Sequence, residues 1–284
     1  MLTKTQLKEL FKEYDFRPLK RFGENYLIDS NIKEKIIEAA GVKAGETVLE
    51  IGPGLGALTI DLAGSGAHIY AVEKDKKAFA ILSDLVDNRY PNLKLFCDDI
   101  LKFDLNKMPL AGKIKVIGNL PYYITTPIIE LLIEKKDMFS SVLMLVQREV
   151  ADRLLAEPGT KDYSSLSCFI RYHTHPAYLH TVRSSSFYPE PEVDSSLVRL
   201  EFLEKPSVEV KDEKIFFKIV RGAFNQRRKT VMNSLSRKDV LDMPKAELAK
   251  LLAKTGIDPQ SRPETLSLPQ FASIANISSS LEFS

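Results

Sequence analysis

The chain has 284 residues, with 40 Lys and Arg against 38 Asp and Glu, so its formal net charge is only +2. This balance excludes nucleic-acid binding through overall charge alone, and any such interface has to come from local placement of basic residues. The two cysteines form no Cys-x-x-Cys pair, which excludes a zinc knuckle of that type, and no metal is expected. Because no apolar run approaches the roughly 20 residues of a membrane span and no signal peptide is apparent, we expect a cytoplasmic monomer without membrane contact.

Short apolar runs alternate with helical patterns from residue 47 onward. The predicted strands are Thr47–Ile51, His68–Glu73, Leu93–Cys97, Ile114–Gly118 and Ser141–Gln147, with two more near 174–182 and 196–202. The predicted helices are 30–40, capped by Ser30 or Asn31, then Leu55–Ala63, Asp75–Asn88 and Thr126–Lys135. Strands that are apolar on both faces and alternate with helices predict an α/β fold, with a mostly parallel, Rossmann-like sheet and helices on both faces.

The pattern changes after Pro206 to helices without strands, over Val208–Arg237 and Lys245–Lys254. The end is broken up by prolines, and we expect a frayed tail at Ser278–Ser280. These prolines are Pro259, Pro263 and Pro269. The sequence therefore predicts two domains, 1–206 and 207–284, of which the first begins with a polar segment over residues 1–30 and the second is small and all-helical.

A glycine-rich turn follows the first strand of the alternating region. Gly52 and Gly54 let the backbone turn tightly and let a ligand approach a helix start without a Cβ in the way. Glu73 ends the second strand, where its carboxylate can accept hydrogen bonds from ribose hydroxyls, and Asp99 follows the third, where it can meet the amine of an adenine ring. The three strand ends indicate a nucleoside pocket, although Gly52-x-Gly54-x-x-Ala57 also fits the looser fingerprint of a dinucleotide cofactor.

The fourth strand ends in Asn119-Leu120-Pro121-Tyr122. The lone pair of an adenine amino group is delocalised into the ring, and a site that accepts hydrogen bonds from both amino hydrogens makes it available. Asn119 Oδ1 and the Leu120 carbonyl are suitable acceptors, Pro121 holds the backbone in place, and Tyr122 offers a flat face to an extruded base. This combination favours methyl transfer to a planar amino nitrogen. A loop whose Asn119 only caps the next helix is the plainer alternative.

Two further features concern the substrate. Phe187 stands in a proline-rich loop that can present its ring to the target base, opposite Tyr122. Residues 214–238 hold eight Lys and Arg and no Asp or Glu, which indicates RNA contact, with a solvated helix face as the alternative. The eight are Lys214, Lys218, Arg221, Arg227, Arg228, Lys229, Arg237 and Lys238.

Together these motifs resemble those of the small-subunit ribosomal RNA adenine dimethyltransferases, over nearly the whole chain. In order, the shared motifs are Lys20–Leu27, Glu50–Gly54, Glu73, Asp99–Leu101, Asn119–Tyr122, Phe187–Ser195 and Arg227–Thr230. Three positions depart from the family pattern, which usually has Gln at 24, a small or amide residue at 123 and often Lys at 192. Here they are Glu24, Tyr123 and Glu192, and the charges of Glu24 and Glu192 bear on the local electrostatics of RNA contact, not on the reaction.

The resemblance implies an S-adenosylmethionine-dependent methyltransferase fold and a substrate in the small ribosomal subunit or its immature precursor. Two methyl groups would go to each of two adjacent adenines near the 3′ end of the RNA. The implied site residues are Asn25 and Leu27 over the methionine end of the cofactor, Gly52 in its pocket, Glu73 on the ribose, Asp99 on the adenine amine, and Asn119 between cofactor and target. The alternatives are a large-subunit RNA adenine methyltransferase of the antibiotic-resistance type, and a ribosome-assembly or transcription-factor relative without catalysis.

Overall fold

The computed structural model of the chain describes residues 3–18, 25–108, 112–120, 124–226 and 228–281. Its helices are α1 (Lys4–Glu13), α2 (Ser30–Ala40), α3 (Thr59–Gly64), α4 (Lys76–Val86), α5 (Thr125–Glu134), α6 (Arg148–Leu155), α7 (Ser165–His173), α8 (Glu213–Phe224), α9 (Val231–Leu235), α10 (Lys245–Lys254) and α11 (Leu268–Leu281). Its strands are β1 (Tyr26–Leu27), β2 (Thr47–Ile51), β3 (His68–Glu73), β4 (Leu93–Cys97), β5 (Ile114–Asn119), β6 (Phe139–Gln147), β7 (Thr174–Val182), β8 (Phe187–Tyr188) and β9 (Ser195–Phe202). Among the helices in this described part, none is long and apolar enough to cross a membrane.

Seven of the described strands form one sheet in the order β4-β3-β2-β5-β6-β9-β7. The five strands from β2 to β6 run parallel to their neighbours, and β9 is antiparallel to β6. All five residues of β2 are buried, so both faces of the sheet are covered at its centre. The predicted mostly parallel sheet is confirmed. Its strand order reverses between β2 and β5, and this is the switch point at which α/β sheets bind ligands.

The packing of α2 follows from its apolar positions and its two ends. Ile32 and Ile36 lie one turn apart and are buried in an apolar cluster that also contains side chains of β2, β3 and β5. The helix begins after Asp29, whose carboxylate accepts hydrogen bonds from the Asn31 and Ile32 amides, and ends at Gly41 with a left-handed φ of 52°. The N-cap is therefore Asp29 and not Ser30 or Asn31, because only the Asp29 side chain reaches the first free amides.

A second, two-stranded sheet was not predicted. β1 pairs antiparallel with β8, and Tyr26 faces Tyr188 while Leu27 faces Phe187. Two residues are too short a run for a periodic pattern, and the strands lie about 160 positions apart in the chain. The first strand comes from the segment that precedes the main sheet, and the second from the proline-rich loop before β9.

The chain forms two compact units. The first extends to Ala151 and includes Ala177–Phe202, and the second combines Asp152–Pro176 with the chain from Leu203 onward. We call the first the sheet unit and the second the helical unit. The chain leaves the sheet unit for the last time after Phe202, close to the boundary expected at 206. Residues 152–176, however, belong to the helical unit and not to the sheet unit. The reason is that apolar side chains of this segment, such as Tyr163 and Tyr172, are buried in the same core as α8.

The C-terminal unit contains a helix where the sequence predicted a broken and frayed end. α11 covers 14 residues, and Ser278 and Ser279 are only 3% and 4% exposed. Pro269 is the second residue of this helix, where a missing backbone N–H costs nothing because the first amides have no partner within the helix. The hydroxyls of Ser278 and Ser279 donate to carbonyls one turn back, which lets these polar residues be buried. The expectation of a frayed tail at these two serines was wrong.

Candidate active site

A cleft lies at the carboxyl ends of β2 to β5, at the switch point of the sheet. Its empty space is about 1050 Å³, including volume open to solvent. The groups that the sequence predicted at four successive strand ends all line it. They are Gly52 and Gly54 after β2, Glu73 at the end of β3, Asp99 after β4 and Asn119 at the end of β5. Parallel strands bring their carboxyl ends to one edge, and this explains why residues so far apart in the chain meet here.

The glycine loop needs its glycines for two reasons. Gly52 and Gly54 have φ values of 68° and 57°, in the left-handed region that residues with a Cβ rarely adopt. A Cβ on Gly54 would also lie 3.0 Å from Cε1 of Tyr26. The loop therefore lies directly against the N-terminal strand β1.

Glu73 accepts backbone hydrogen bonds with both carboxylate oxygens. Gly54 N–H donates to Oε2 at 2.9 Å, and Asp75 N–H donates to Oε1 at 2.8 Å. Burial raises the pKa of Glu73 above its ordinary value, and the backbone hydrogen bonds oppose that shift without cancelling it. Each oxygen has a second lone pair, so the carboxylate can still accept bonds from a pair of hydroxyls.

Asp99 is held by an ion pair. Lys74 Nζ lies 2.8 Å from Asp99 Oδ2, and Leu101 N–H donates to Oδ1 at 3.1 Å. Burial alone would raise the pKa of Asp99, but the bonds from Lys74 and Leu101 outweigh it and lower the pKa. Asp99 is therefore an ionised acceptor at the rim of the cleft, next to a cation.

The side chain of Asn119 has a defined orientation. Its Nδ2 donates to the backbone carbonyl of Asn25 at 2.9 Å. A carbonyl can only accept, so the NH₂ group must face Asn25, and Oδ1 is left on the other branch of the amide as an acceptor. Leu120 is 2% exposed, and its N–H donates to the Leu145 carbonyl of β6 at 3.2 Å. Pro121 and Tyr122, like Tyr123, lie outside the described residues.

Gly118, which sequence reasoning did not single out, makes room for this arrangement. A Cβ at this position would lie 2.7 Å from the Ile51 carbonyl oxygen and 2.9 Å from Cδ2 of Leu120. Real Cβ atoms do not approach backbone oxygen so closely, so β2 and β5 can lie at this spacing only with glycine here. A glycine immediately before the polar residue at a strand end was the available signal.

Glu50 is a second residue to which the sequence analysis gave no role, although it begins the shared motif Glu50–Gly54. It is 2% exposed, lines the cleft, and its Oε2 accepts no hydrogen bond from the described residues. Burial, with a smaller contribution from the charge of Glu73, raises the pKa of Glu50 to about 8. An acid inside the apolar run Val48-Leu49-Glu50-Ile51 was the signal that could have identified it.

The cleft is acidic. Its described lining includes five carboxyl groups and a single lysine, Lys74. The five are Glu50, Glu73, Asp75, Asp98 and Asp99. Glu50 is protonated near neutral pH because of its raised pKa, but the remaining carboxyl groups favour a ligand that carries positive charge over the pyrophosphate of a dinucleotide.

The N-terminal segment closes one side of the cleft. Asn25 and Leu27 both line it, as the resemblance implied. Their neighbour across the small sheet, Phe187, is 2% exposed and packs in an apolar cluster with Leu27 and Val182. The ring is thus in the core of the sheet unit, and stacking on a base stays a prediction that requires it to turn outward.

The basic residues of the C-terminal unit form a narrower stripe than the sequence suggested. Lys214, Lys218 and Arg221 are exposed on α8 at spacings of four and three, which is one helix face. Arg228 and Lys229 are exposed beyond it, and Arg227 lies outside the described residues. Arg237 differs from these exposed residues, because its guanidinium is already paired: its Nε donates to Asp239 Oδ1 at 2.9 Å.

The chain is similar in sequence to known proteins. Residues 16–280 match the family described as "Ribosomal RNA adenine dimethylase". The chain is 42% identical over 273 residues to "Ribosomal RNA small subunit methyltransferase A" of Alkaliphilus oremlandii (strain OhILAs), covering 95% of this chain and 94% of that one. It is 44% identical over 276 residues to the protein of the same name from Moorella thermoacetica (strain ATCC 39073 / JCM 9320), covering 94% of each.

Solved structures show the same architecture. A dimethyladenosine transferase from Plasmodium falciparum aligns with a TM-score of 0.76 and 26% identity, over 88% of this chain and 95% of that one. The 23S rRNA methyltransferase ErmE aligns with a TM-score of 0.69 and 24% identity, over 88% of this chain and 98% of that one. The second likeness, at this identity, concerns the fold alone.

Proposed function

The chain belongs to the ribosomal RNA adenine dimethylase family, and from this premise we propose that it transfers methyl groups from S-adenosylmethionine to adenine N6 atoms of small-subunit ribosomal RNA. The products are N6,N6-dimethyladenosines at two adjacent positions near the 3′ end, formed during assembly of the small subunit. The relatives at 42% and 44% identity, both named for the small subunit, support that choice of RNA.

The orientation of Asn119 is the observation that carries the proposal. Its amide donates to Asn25 and leaves Oδ1 as the acceptor of a side chain that lines the cleft. An amino group that gives a hydrogen to Oδ1, and its other hydrogen to the Leu120 carbonyl, keeps its lone pair out of the ring and directs it at the cofactor. Asn119 thus acts by orienting and polarising the target nitrogen, and no strong base is required.

The residues of the cleft fit S-adenosylmethionine by their chemistry. Glu73 suits the two ribose hydroxyls, Asp99 the adenine amine, and the glycine loop the close passage of the ligand backbone. Asn25 and Leu27 would cover the methionine end. When bound, this cofactor supplies a methyl group activated by a positively charged sulfur, which agrees with the acidic lining.

The target base would be held by aromatic rings and the RNA by basic residues. We assign stacking to Tyr122 and Phe187, with Pro121 fixing the backbone between Leu120 and Tyr122. Phosphates would be contacted by Arg221, Arg227, Arg228 and Lys229, together with the neighbouring lysines of α8. Phosphate contacts together with an extruded base are typical of proteins that recognise structured RNA by its shape.

The experiment uses the full chain, radiolabelled S-adenosylmethionine and either immature small subunits or large-subunit RNA, and the modified adenines are then mapped. We expect two dimethylated adenines in the small-subunit RNA and no label in the large-subunit RNA. Label in the large-subunit RNA alone would assign the chain to the antibiotic-resistance type of enzyme. Absence of label from both would contradict a catalytic function.

A further inference from the structure

A hydrogen bond between Asp29 and Ser186 joins two parts of the sheet unit that the proposed reaction uses for different ligands. Ser186 Oγ donates to Asp29 Oδ2 at 3.0 Å, across 157 positions of the chain. Ser186 is 5% exposed, so its hydroxyl is shielded from water. The acceptor is a carboxylate, and a charged acceptor strengthens a hydrogen bond.

Asp29 uses its two oxygens for two different tasks. Oδ1 accepts from the Asn31 and Ile32 amides at the start of α2, while Oδ2 accepts from Ser186. Beside this contact, Ile28 N–H donates to the Ser186 carbonyl at 2.9 Å, which extends the pairing of β1 with β8 by one bond. Two-residue strands are too short to be stable alone, so these bonds add to the apolar packing of Leu27 on Phe187 in keeping β1 and β8 together.

Each strand of this pair leads to one ligand of the proposed reaction. Asn25, next to β1, accepts from Asn119 and lines the cofactor cleft. Phe187, in β8, is the ring proposed to contact the target base, and it packs in one cluster with Leu27 of β1. A displacement of either strand is therefore passed to the other through the Asp29–Ser186 bond.

We infer that Asp29 and Ser186 are positioning residues that couple cofactor binding to RNA binding. A cofactor that orders Asn25–Leu27 also fixes the backbone of the loop that carries Phe187, the support from which the ring turns outward to the base, and so favours RNA. By linkage, RNA must tighten cofactor binding by the same factor. This inference rests on the proposed function, since it takes both ligands from it.

The test measures the dissociation constant of S-adenosylhomocysteine with and without immature small subunits. For the wild-type chain we expect the RNA to tighten binding on the order of tenfold. Ser186→Ala should reduce this ratio to about threefold or less, because the side-chain bond to Asp29 is lost while the backbone pairing of β1 with β8 remains. Affinity for S-adenosylhomocysteine alone should change little.

Three further variants separate coupling from loss of structure. Ser186→Thr keeps the hydroxyl and should retain the coupling. Ser186→Val, whose side chain has the same size as that of threonine but no hydroxyl, should lose the coupling. Ser184→Ala is the matched control, because Ser184 Oγ bonds to Glu190 in the same turn without reaching the N-terminal segment. Thermal melting of each variant establishes that it is folded.

The outcomes decide between the two proposals. Equal coupling in wild type and Ser186→Ala, no coupling in the wild type, or an equal loss in Ser184→Ala would each overturn the inference. Methyl transfer by the wild-type chain is assayed in the same preparations. Its failure would instead contradict the proposed function, so the two results remain distinct.

Discussion

At the scale of single residues, the site depends on which atom of a side chain faces the ligand. Asn119 is the clearest case, because one hydrogen bond to Asn25 determines which branch of its amide is the acceptor. Glu50 is the opposite case, a carboxyl group whose Oε2 has no hydrogen bond from the described residues. Both positions allow sharp tests by substitution.

Asn119→Ala removes the proposed acceptor for the amino hydrogen. We expect the rate of methyl transfer to fall about 100-fold or more, in line with the loss of one preorganised hydrogen-bonding group. Binding of S-adenosylhomocysteine, measured by calorimetry, should be weakened only in part, because Glu73 and the glycine loop remain. Asn106→Ala, an exposed asparagine that bonds to Asp104, is the control and should keep full activity. Full activity in Asn119→Ala would contradict the role.

Glu50 should make stability depend on pH. Its pKa is raised to about 8 in the folded chain, so the folded state holds a proton that the unfolded state has already lost above about pH 4.5. The stabilisation is present below the unfolded pKa and is lost as pH rises toward 8. Between these two pKa values, the contribution of Glu50 to the free energy of unfolding falls by at most about 1.4 kcal/mol per pH unit.

Urea unfolding at pH 5.5 and pH 8 measures this effect. Wild type should lose more stability over the interval than Glu50→Gln, which cannot titrate. Some decline should remain in the variant, because burial raises the pKa of Glu73 as well. Identical declines in the two proteins would show that Glu50 does not titrate in this range.

At the scale of secondary-structure elements, two features matter most: the pairing of β2 with β5, and the exposed face of α8. The first sets the width of the cleft, since Gly52 follows one strand and Asn119 ends the other. The second presents Lys214, Lys218 and Arg221 on one face, while Phe216 and Val220 lie in the core. Amphipathicity of this kind separates the basic residues from the packing.

Gly118→Ala should push β2 and β5 apart. The added Cβ would meet the Ile51 carbonyl at 2.7 Å, and overpacking of this kind costs about 1–3 kcal/mol. Chemical denaturation gives the change in free energy of unfolding. Gly64→Ala is the control, because a Cβ there meets nothing within 4 Å. A loss of stability in the Gly64 variant equal to that in the Gly118 variant would point to a general effect of replacing glycine.

Lys218→Glu combined with Arg221→Glu should weaken RNA binding and lower its dependence on salt. Each phosphate contact contributes about 0.7–0.9 to the slope of log affinity against log salt concentration, so the slope should fall by roughly 1.5. Binding of immature small subunits is measured between low and moderate salt. Lys250→Glu with Lys254→Glu makes the same charge change on exposed positions of α10 and should leave the slope unchanged. Equal effects in both pairs would mean nonspecific attraction.

At the scale of the whole molecule, the proposed function assigns cofactor binding and RNA binding to different compact units. Every described residue that lines the cleft belongs to the sheet unit, and the exposed basic residues of α8 belong to the helical unit. Each unit has an apolar core of its own, around Val48 and Ile69 in one and around Phe216 and Phe271 in the other. Cofactor binding should therefore protect backbone amides of the sheet unit and leave those of the helical unit unchanged.

Hydrogen exchange with mass spectrometry checks this expectation. S-adenosylhomocysteine should slow exchange of the amides in residues 25–28 and 50–56, because the ligand binds only the form in which these segments are closed. Amides of α8 and α11 should exchange at the same rate with and without the ligand. Equal protection of α8 and α11 would show that the two units respond as one.

The sequence by itself determined the sheet and the strand-end groups. Apolar runs from Thr47 to Gln147 predicted five strands, and the polar residue that follows each run is local information. Once the strands are parallel, Gly52, Glu73, Asp99 and Asn119 must share one edge. The family resemblance added Asn25 and Leu27, which no periodic pattern indicates.

Only the tertiary structure decided the rest, because the remaining features depend on residues far apart in the chain. The pairing of β1 with β8, the Asp29–Ser186 bond and the burial of Phe187 require two distant segments to meet. Membership of residues 152–176 in the helical unit depends in the same way on which core their apolar side chains reach. Local patterns predict what a segment can form, but the contacts made in the folded chain determine what it packs against and which of its groups lose water.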